Sequence, residues 1–372
     1  MKIVIVMPLA EQRGGAELLL WHLMQQGQNL GVDWCVIFFE DGPLVKQIQS
    51  LGVETHIVTA GRLRQPRHFI TTVRKIAAIA KQSRADAIFS WMAKAHLYSS
   101  FAAMLSGIPA LWYQQGIPSN QGWLDKIATM LPARGVLACS KTSASAQAKM
   151  RPSRPVRVVY PSVELDRFDP EKLGSPQSLR RRLDLPQNVP IIGIVGRLQR
   201  WKGIHVLVEA MPKLLQNYPS AQCIVVGGKH ELEPDYPAYL DNGIRFLGLQ
   251  ENVKMVGLQR NIPEWMQAMD VIVHASDFEP FGMVIIEAMA LGKPVVAGDA
   301  GGPREIITPE LNGILTAYGD ADALASAIVR YLDDPNFAHK TGIAARERSL
   351  VFSTQFYAKN FVEAVRDLLP IS

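Results

Sequence analysis

Short apolar runs alternate along this chain with longer stretches in which apolar residues recur at three- and four-residue spacing. In the first half the runs predict strands near 2–7, 34–39, 54–58, 86–90, 110–114, 135–139 and 156–160. Between them, 16–28, 67–82 and 97–106 carry helical periodicity. A second series places strands near 190–196, 222–227, 244–247, 270–274 and 294–297. Repeated strand, helix, strand order with apolar strands implies parallel sheets covered on both faces. Residues 161–190 break the pattern with prolines, charges and Gly174 and read as a connection between two α/β domains. The expected organisation is a first domain over 1–165, a linker over 166–187, a second domain over 188–350 and an amphipathic closing helix over 351–372.

In open parallel sheets, ligands bind beyond the carboxyl ends of the strands. Four segments with chemical potential fall there. Gly14-Gly15-Ala16-Glu17 follows the first strand. Gly193 to Gly196, then Arg197-Leu198 and Trp201-Lys202-Gly203, leaves the first strand of the second series. Glu279-Pro280-Phe281-Gly282-Met283 leads into a helix that carries Glu287. Gly301-Gly302-Pro303-Arg304-Glu305-Ile306, with Asn312-Gly313 beyond it, follows the strand near 294–297.

Glu279 lies in the loop after Val271 to His274, and Glu287 lies more than a turn into the following helix. Eight residues at 3.6 per turn bring both carboxylates toward one side. The amides of Phe281, Gly282 and Met283 open that helix and suit phosphate or sugar oxygens. Arg197 and Lys202, separated by a short loop, can converge on a phosphate, an Arg fork beside a Lys point charge. Gly203 lets the chain approach closely at a helix start. Asp320-Ala321-Asp322 has the form of a metal clamp, but it precedes the plain helix 323–328, where helix capping accounts for both acids. No His or Cys cluster has metal-ligand spacing, so no metal or other cofactor is expected.

Together these motifs resemble those of the retaining glycosyltransferases of family 4, also called glycosyl transferases group 1, and they span nearly the whole chain in the family's order. The resemblance implies a GT-B fold, two Rossmann-like domains facing a central cleft, with the C-terminal helix crossing back to the first. It implies that Glu279 contacts the donor sugar, Glu287 the donor ribose, and Arg197 and Lys202 the nucleotide diphosphate. Gly14, Gly15, Gly196, Phe281, Gly282 and Met283 join them as donor-binding positions, with the base held by backbone near Val256. The donor is then a nucleotide sugar, read as a UDP-sugar, and the acceptor a saccharide or lipid-linked saccharide in polysaccharide or glycoconjugate synthesis. Much of the family has a His after the fifth strand; this chain has Gln115, which can hydrogen-bond but cannot titrate. His96 and Gln115 are candidate acceptor or sugar contacts, while His274 at a strand end reads as structural.

At 372 residues, with 48% hydrophobic and 20% charged content, the chain is long enough for two domains. Cys35, Cys139 and Cys223 fall in or beside strands with no framework spacing, which points to a reducing compartment. No apolar run approaches the roughly 18 residues of a membrane span, and the expected location is cytoplasmic. The net charge of +5 is unevenly spread: residues 1–160 hold 18 Lys and Arg against 8 Asp and Glu. The segment Arg62 to Arg84, with Arg64, Arg67, Arg74, Lys75 and Lys81, contains no acid. Its amphipathic part either lies on anionic lipid or is the solvated outer helix of an α/β domain. No nucleic-acid-binding motif accompanies the charge. Competing readings are a nucleotide-sugar epimerase of the same architecture and a non-catalytic membrane-surface scaffold. Nicotinamide chemistry is disfavoured, because no G-x-G-x-x-G follows a predicted strand.

Overall fold

The computed structural model describes residues 1–11, 14–61, 65–119 and 122–369. The chain forms two compact units, residues 1–162 with 354–372, and residues 163–353.

The first unit has a seven-stranded parallel sheet in the order β3-β2-β1-β4-β5-β6-β7. Its strands are β1 (Lys2–Met7), β2 (Asp33–Phe38), β3 (Glu54–Ile57), β4 (Ala87–Trp91), β5 (Ala110–Gln114), β6 (Gly135–Ala138) and β7 (Val156–Val158). Its helices are α1 (Gly15–Gln26), α2 (Pro43–Ser50), α3 (Pro66–Gln82), α4 (Met92–Ser106), α5 (Trp123–Met130) and α6 (Lys141–Met150). The central strands β1, β4 and β5 are buried almost throughout, as continuous apolar runs require when helices cover both faces of a sheet.

The second unit repeats this order in six strands, β10-β9-β8-β11-β12-β13. They are β8 (Ile191–Val195), β9 (Gln222–Val226), β10 (Val253–Gly257), β11 (Val271–His274), β12 (Val295–Gly298) and β13 (Ile314–Thr316). The helices are α7 (Pro170–Leu173), α8 (Pro176–Arg182), α9 (Ile204–Asn217), α10 (Tyr236–Phe246), α11 (Ile262–Ala268), α12 (Met283–Ala290), α13 (Pro303–Ile306), α14 (Ala321–Asp333) and α15 (Pro335–Ser349). The last helix, α16 (Thr354–Leu368), belongs to the first unit. Its Phe361 ring lies 4.9 Å from that of Phe89 and 5.7 Å from that of Trp91.

Two expectations fail. The strand near 244–247 is the end of α10, which buries Tyr236, Leu240 and Ile244 at four-residue spacing, and the strand at that level of the sheet is β10. The segment read as a linker is folded into the second unit. Pro170 and Pro176 each open a helix, where a missing amide proton costs nothing. Buried Arg180 on α8 donates to the Ala268 carbonyl at 2.8 Å and to Asp270 at 2.7 Å, pinning the segment to the base of β11.

Candidate active site

In a sheet of this order the strand sequence reverses between two neighbours, and loops leaving that pair diverge to opposite faces and open a crevice. In the second unit the pair is β8 and β11. The loop after β8 carries Gly196, Arg197 and Lys202, and the loop after β11 carries Glu279.

The two loops close on each other. Gly203 has φ +68°, and a Cβ there would lie 1.9 Å from the Ala275 carbonyl oxygen, so only glycine fits. The Asp277 amide donates to the Trp201 carbonyl at 2.8 Å. A third loop, after β12, fixes the second from the other side. The Gly302 amide donates to the Glu279 carbonyl at 2.8 Å, and a Cβ on Gly302 would meet Phe281 backbone at 2.2 Å. The glycine pair Gly301-Gly302 therefore sets where the backbone of Glu279 runs.

Glu279 is the electrostatic centre of this arrangement. Lys202 Nζ donates to Glu279 Oε2 at 2.6 Å, and His274 Nε2 lies 3.1 Å from the same oxygen. Burial alone would raise the Glu279 pKa, but the Lys202 charge and the His274 hydrogen bond outweigh it. They hold the carboxyl well below the usual carboxylate range. Lys202 also packs 4.0 Å from the centre of the Trp201 ring. His274 is buried, Ser276 Oγ lies 3.4 Å from its Nε2, and its Nδ1 has no partner among the described residues. The sequence reading of His274 as structural did not foresee its contact with Glu279. Its place at the carboxyl end of the switch-point strand, five residues before Glu279, was the available signal.

The remaining predicted positions of the second unit lie elsewhere on its strands, loops and helices. The Arg197 side chain is exposed and has no charged partner among the described residues. Gly282, at φ +111°, caps the start of α12, so Met283 opens the helix as expected. Glu287 sits in the second turn of α12, half-buried, with no hydrogen bond or ion pair to its carboxylate among the described residues. Its apolar surroundings raise its pKa to about 7, with Arg167 pulling the other way and Glu164 adding to the rise. The Val256 carbonyl accepts from Gln259 Nε2 at 2.7 Å. Asp320 caps α14 by accepting from the Ala323 amide at 2.8 Å, and Asp322 lies in the helix's first turn.

The other predicted residues belong to the first unit. Gly14 precedes α1, and its amide donates to Glu17 Oε2 at 3.1 Å, the acid half of a capping box, with Gly15 the first helical residue. Gln115 is half-buried, and its Nε2 finds no partner among the described residues. His96 corrects the expectation of a sugar contact: it is 0% exposed, stacked on Trp112 at 5.0 Å, with Nδ1 3.1 Å from Ser90 Oγ. Burial, with a smaller contribution from Arg154, lowers its pKa to about 3, so it is a neutral core residue. Arg62 and Arg64 lie outside the described residues.

Comparison with known proteins finds relatives of both units. The sequence model described as Glycosyltransferase Family 4 matches residues 13–167, and that described as Glycosyl transferases group 1 matches residues 176–348. A D-inositol 3-phosphate glycosyltransferase of Corynebacterium urealyticum is 32% identical over 219 residues, which is 57% of this chain and 51% of that protein. The lipopolysaccharide core biosynthesis mannosyltransferase LpsB of Rhizobium meliloti is 28% identical over 218 residues, 58% of this chain and 62% of that protein. The chain spans about half the length of the curated relatives it matches. Among solved structures, Anabaena HepE in complex with UDP-glucose superposes with a TM-score of 0.85 at 28% identity, covering 99% of this chain and 100% of that one. Matched by the two models in tandem over most of its length, the chain belongs to the group 1, family 4 glycosyltransferases and has their GT-B fold.

Proposed function

We propose that this protein moves a sugar from a UDP-sugar to a hydroxyl of a saccharide or lipid-linked saccharide, with retention at the anomeric carbon, in polysaccharide or glycoconjugate synthesis. The observation that carries the reading is the meeting of Lys202, Glu279 and His274 at the switch point of the second sheet. Relatives support the donor and acceptor classes: HepE was solved with UDP-glucose, and LpsB is named for lipopolysaccharide core synthesis.

In this reading the bond between the anomeric carbon and the β-phosphate oxygen breaks, and its electrons stay with the diphosphate. The acceptor oxygen bonds to the same carbon from the same face, and its proton passes to a diphosphate oxygen. Arg197 and Lys202 offset the charge that develops on that leaving group, so no metal ion or other cofactor is required. Lys202 leaves Glu279 for the phosphate, which frees the Glu279 carboxylate to accept from sugar hydroxyls. Glu287 accepts from the ribose hydroxyls, which supply the partner its carboxylate lacks. The α12 N-terminus at Phe281, Gly282 and Met283 supplies amides to donor oxygens, and the Val256 strand end supports the base. In the first unit, Gly14 and Gly15 serve the donor side and Gln115 offers a neutral donor to a sugar oxygen.

No helix among the described residues is long and apolar enough to cross a membrane. The cationic face of α3 is read as peripheral contact with anionic lipid at the cytoplasmic face of a membrane. Incubating the purified protein with a panel of UDP-, GDP- and ADP-sugars and simple saccharides, with product linkage read by NMR, tests the whole reading. An α-linked product from an α-linked UDP-sugar is expected, unchanged by EDTA. Inversion, exclusive use of another base, or strict dependence on manganese or magnesium contradicts it.

A further inference from the structure

On the first sheet, α4 packs between α3 and α5, and the inner faces of all three share one core with Val73, Ile76, Ala95, Ala102 and Ala128. Their outer faces are apolar in a way that this core does not explain. On α4, Phe101, Met104 and Leu105 stand exposed at helical spacing, and on α5 so do Trp123, Ile127 and Met130. Met104 is 64%, Trp123 61% and Met130 77% exposed, three large apolar side chains open to water. The Phe69 and Phe101 rings meet edge to face at 5.6 Å, joining this ridge to α3.

Cations border the ridge. The outer side of α3 presents Arg67, Arg74, Lys75 and Lys81, and α5 adds Lys126. Arg151 donates to the Thr129 and Met130 carbonyls at the end of α5, at 3.1 and 2.8 Å. Asp125 is the one acid in the three helices, and its carboxylate accepts from the Ser119 amide at 3.2 Å and from Gln114 at 3.5 Å.

Monomer surfaces seldom gather this many large apolar side chains without a partner. Cations beside exposed Trp, Met and Ile are the composition of a surface that lies in the headgroup region of a bilayer. A second copy of the chain fits less well, because a twofold interface would set this cationic border against itself.

We propose that α3, α4 and α5 form one interfacial docking face, with Phe101, Met104, Leu105, Trp123, Ile127 and Met130 inserted toward the acyl chains of an anionic bilayer. The proposal rests on the reading of α3 as a lipid contact and extends it from charge attraction to insertion by the neighbouring helices. A peripheral enzyme held in this way meets lipid-linked acceptors in two dimensions rather than three.

Cosedimentation with vesicles separates the two contributions. Two variants are compared with the wild type: Met104→Ser with Trp123→Ser and Met130→Ser, and Arg67→Glu with Arg74→Glu, Lys75→Glu and Lys81→Glu. Near-ultraviolet circular dichroism confirms that each is folded. Vesicles are phosphatidylcholine alone or mixed with phosphatidylglycerol, at low and high salt. The wild type is expected to bind the mixed vesicles and retain part of that binding in high salt. The serine variant should bind about tenfold or more weakly, with the remainder fully released by salt. Wild-type binding by the serine variant alongside release of the charge variant overturns insertion and leaves charge attraction standing. Equal recovery of every form on neutral and mixed vesicles overturns both. Conversion of a dimer to a monomer by the serine substitutions, with no change on vesicles, assigns the ridge to self-association and also overturns the proposal.

Discussion

Lys202 Nζ sits 2.6 Å from Glu279 Oε2, although 77 residues separate the two along the chain. The parallel sheet brings them together, because β8 and β11 are hydrogen-bonded neighbours whose carboxyl ends point the same way. The pair is nearly buried and His274 holds the same carboxylate oxygen, so each partner depends on the other's charge. Replacing Lys202 by Met leaves Glu279 a buried carboxylate with one remaining partner, at a cost on the order of 3 kcal/mol near neutral pH. The pH dependence has a definite sign. Glu279 has its folded pKa held below its ordinary value of 4.5, so its contribution is fully present above that value and is lost progressively as pH falls from it through the lower folded pKa. The stability gap between wild type and Lys202→Met should therefore narrow when urea melts are repeated near pH 4. An unchanged gap would show that the pair is not electrostatically coupled.

Arg197 makes the opposite case. Its exposed side chain holds nothing in place, so Arg197→Ala should stay within about 0.5 kcal/mol of wild type in stability. Turnover of a UDP-sugar should nonetheless fall by about 10²-fold or more, as loss of one preorganised positive charge at a leaving group does. Full turnover in the variant would remove Arg197 from the diphosphate site.

Gly203→Ala tests the close approach of the two loops. The added methyl meets the Ala275 carbonyl, and φ +68° is itself unfavourable for alanine. A loss of about 2 kcal/mol or more in thermal or urea stability is expected, with weakened UDP affinity by calorimetry. A variant that melts and binds like wild type would mean the loops are not held together at this point.

Glu287 gives a second pH signature. With its pKa about 7 in the unliganded protein, its carboxyl gains charge as pH rises from 6 to 8, and the charged form is the stronger acceptor for the ribose hydroxyls. UDP affinity should rise over that interval, and the rise should be smaller in Glu287→Gln, which keeps the shape but cannot titrate. Comparison within one pH series cancels the titration of UDP itself. Identical pH profiles for the two proteins would separate Glu287 from the ribose.

The alternation of apolar runs revealed both sheets because parallel strands buried on two faces leave an unbroken apolar signature. It misread 244–247, where Ile244, Phe246 and Leu247 surround a single charge and imitate a strand. The four-residue recurrence of Tyr236, Leu240 and Ile244 was the truer signal. Proline placement misled in the same way across 161–190, since Pro170 and Pro176 begin helices rather than interrupt them. At the site, loop positions of Glu279 and Lys202 followed from strand order, but their pairing did not, because sequence spacing carries no information about which loops face each other. From the sequence His96 reads as a candidate acceptor or sugar contact at the start of a helix. The helix begins at Met92, and the ring turns inward against Trp112.

The central claim is that sugar leaves a nucleotide diphosphate at the Glu279 site, and the initial rate of UDP release measures it most directly. The rate should be read with a UDP-sugar and a competent acceptor, for wild type and for Glu279→Gln shown to be folded. Glutamine fills the same space but offers no charge to a sugar hydroxyl or to Lys202. Acceptor-dependent UDP release by the wild type, reduced about 10²-fold or more in the variant, is the predicted result. Equal rates in the two proteins would contradict it and place the reaction elsewhere.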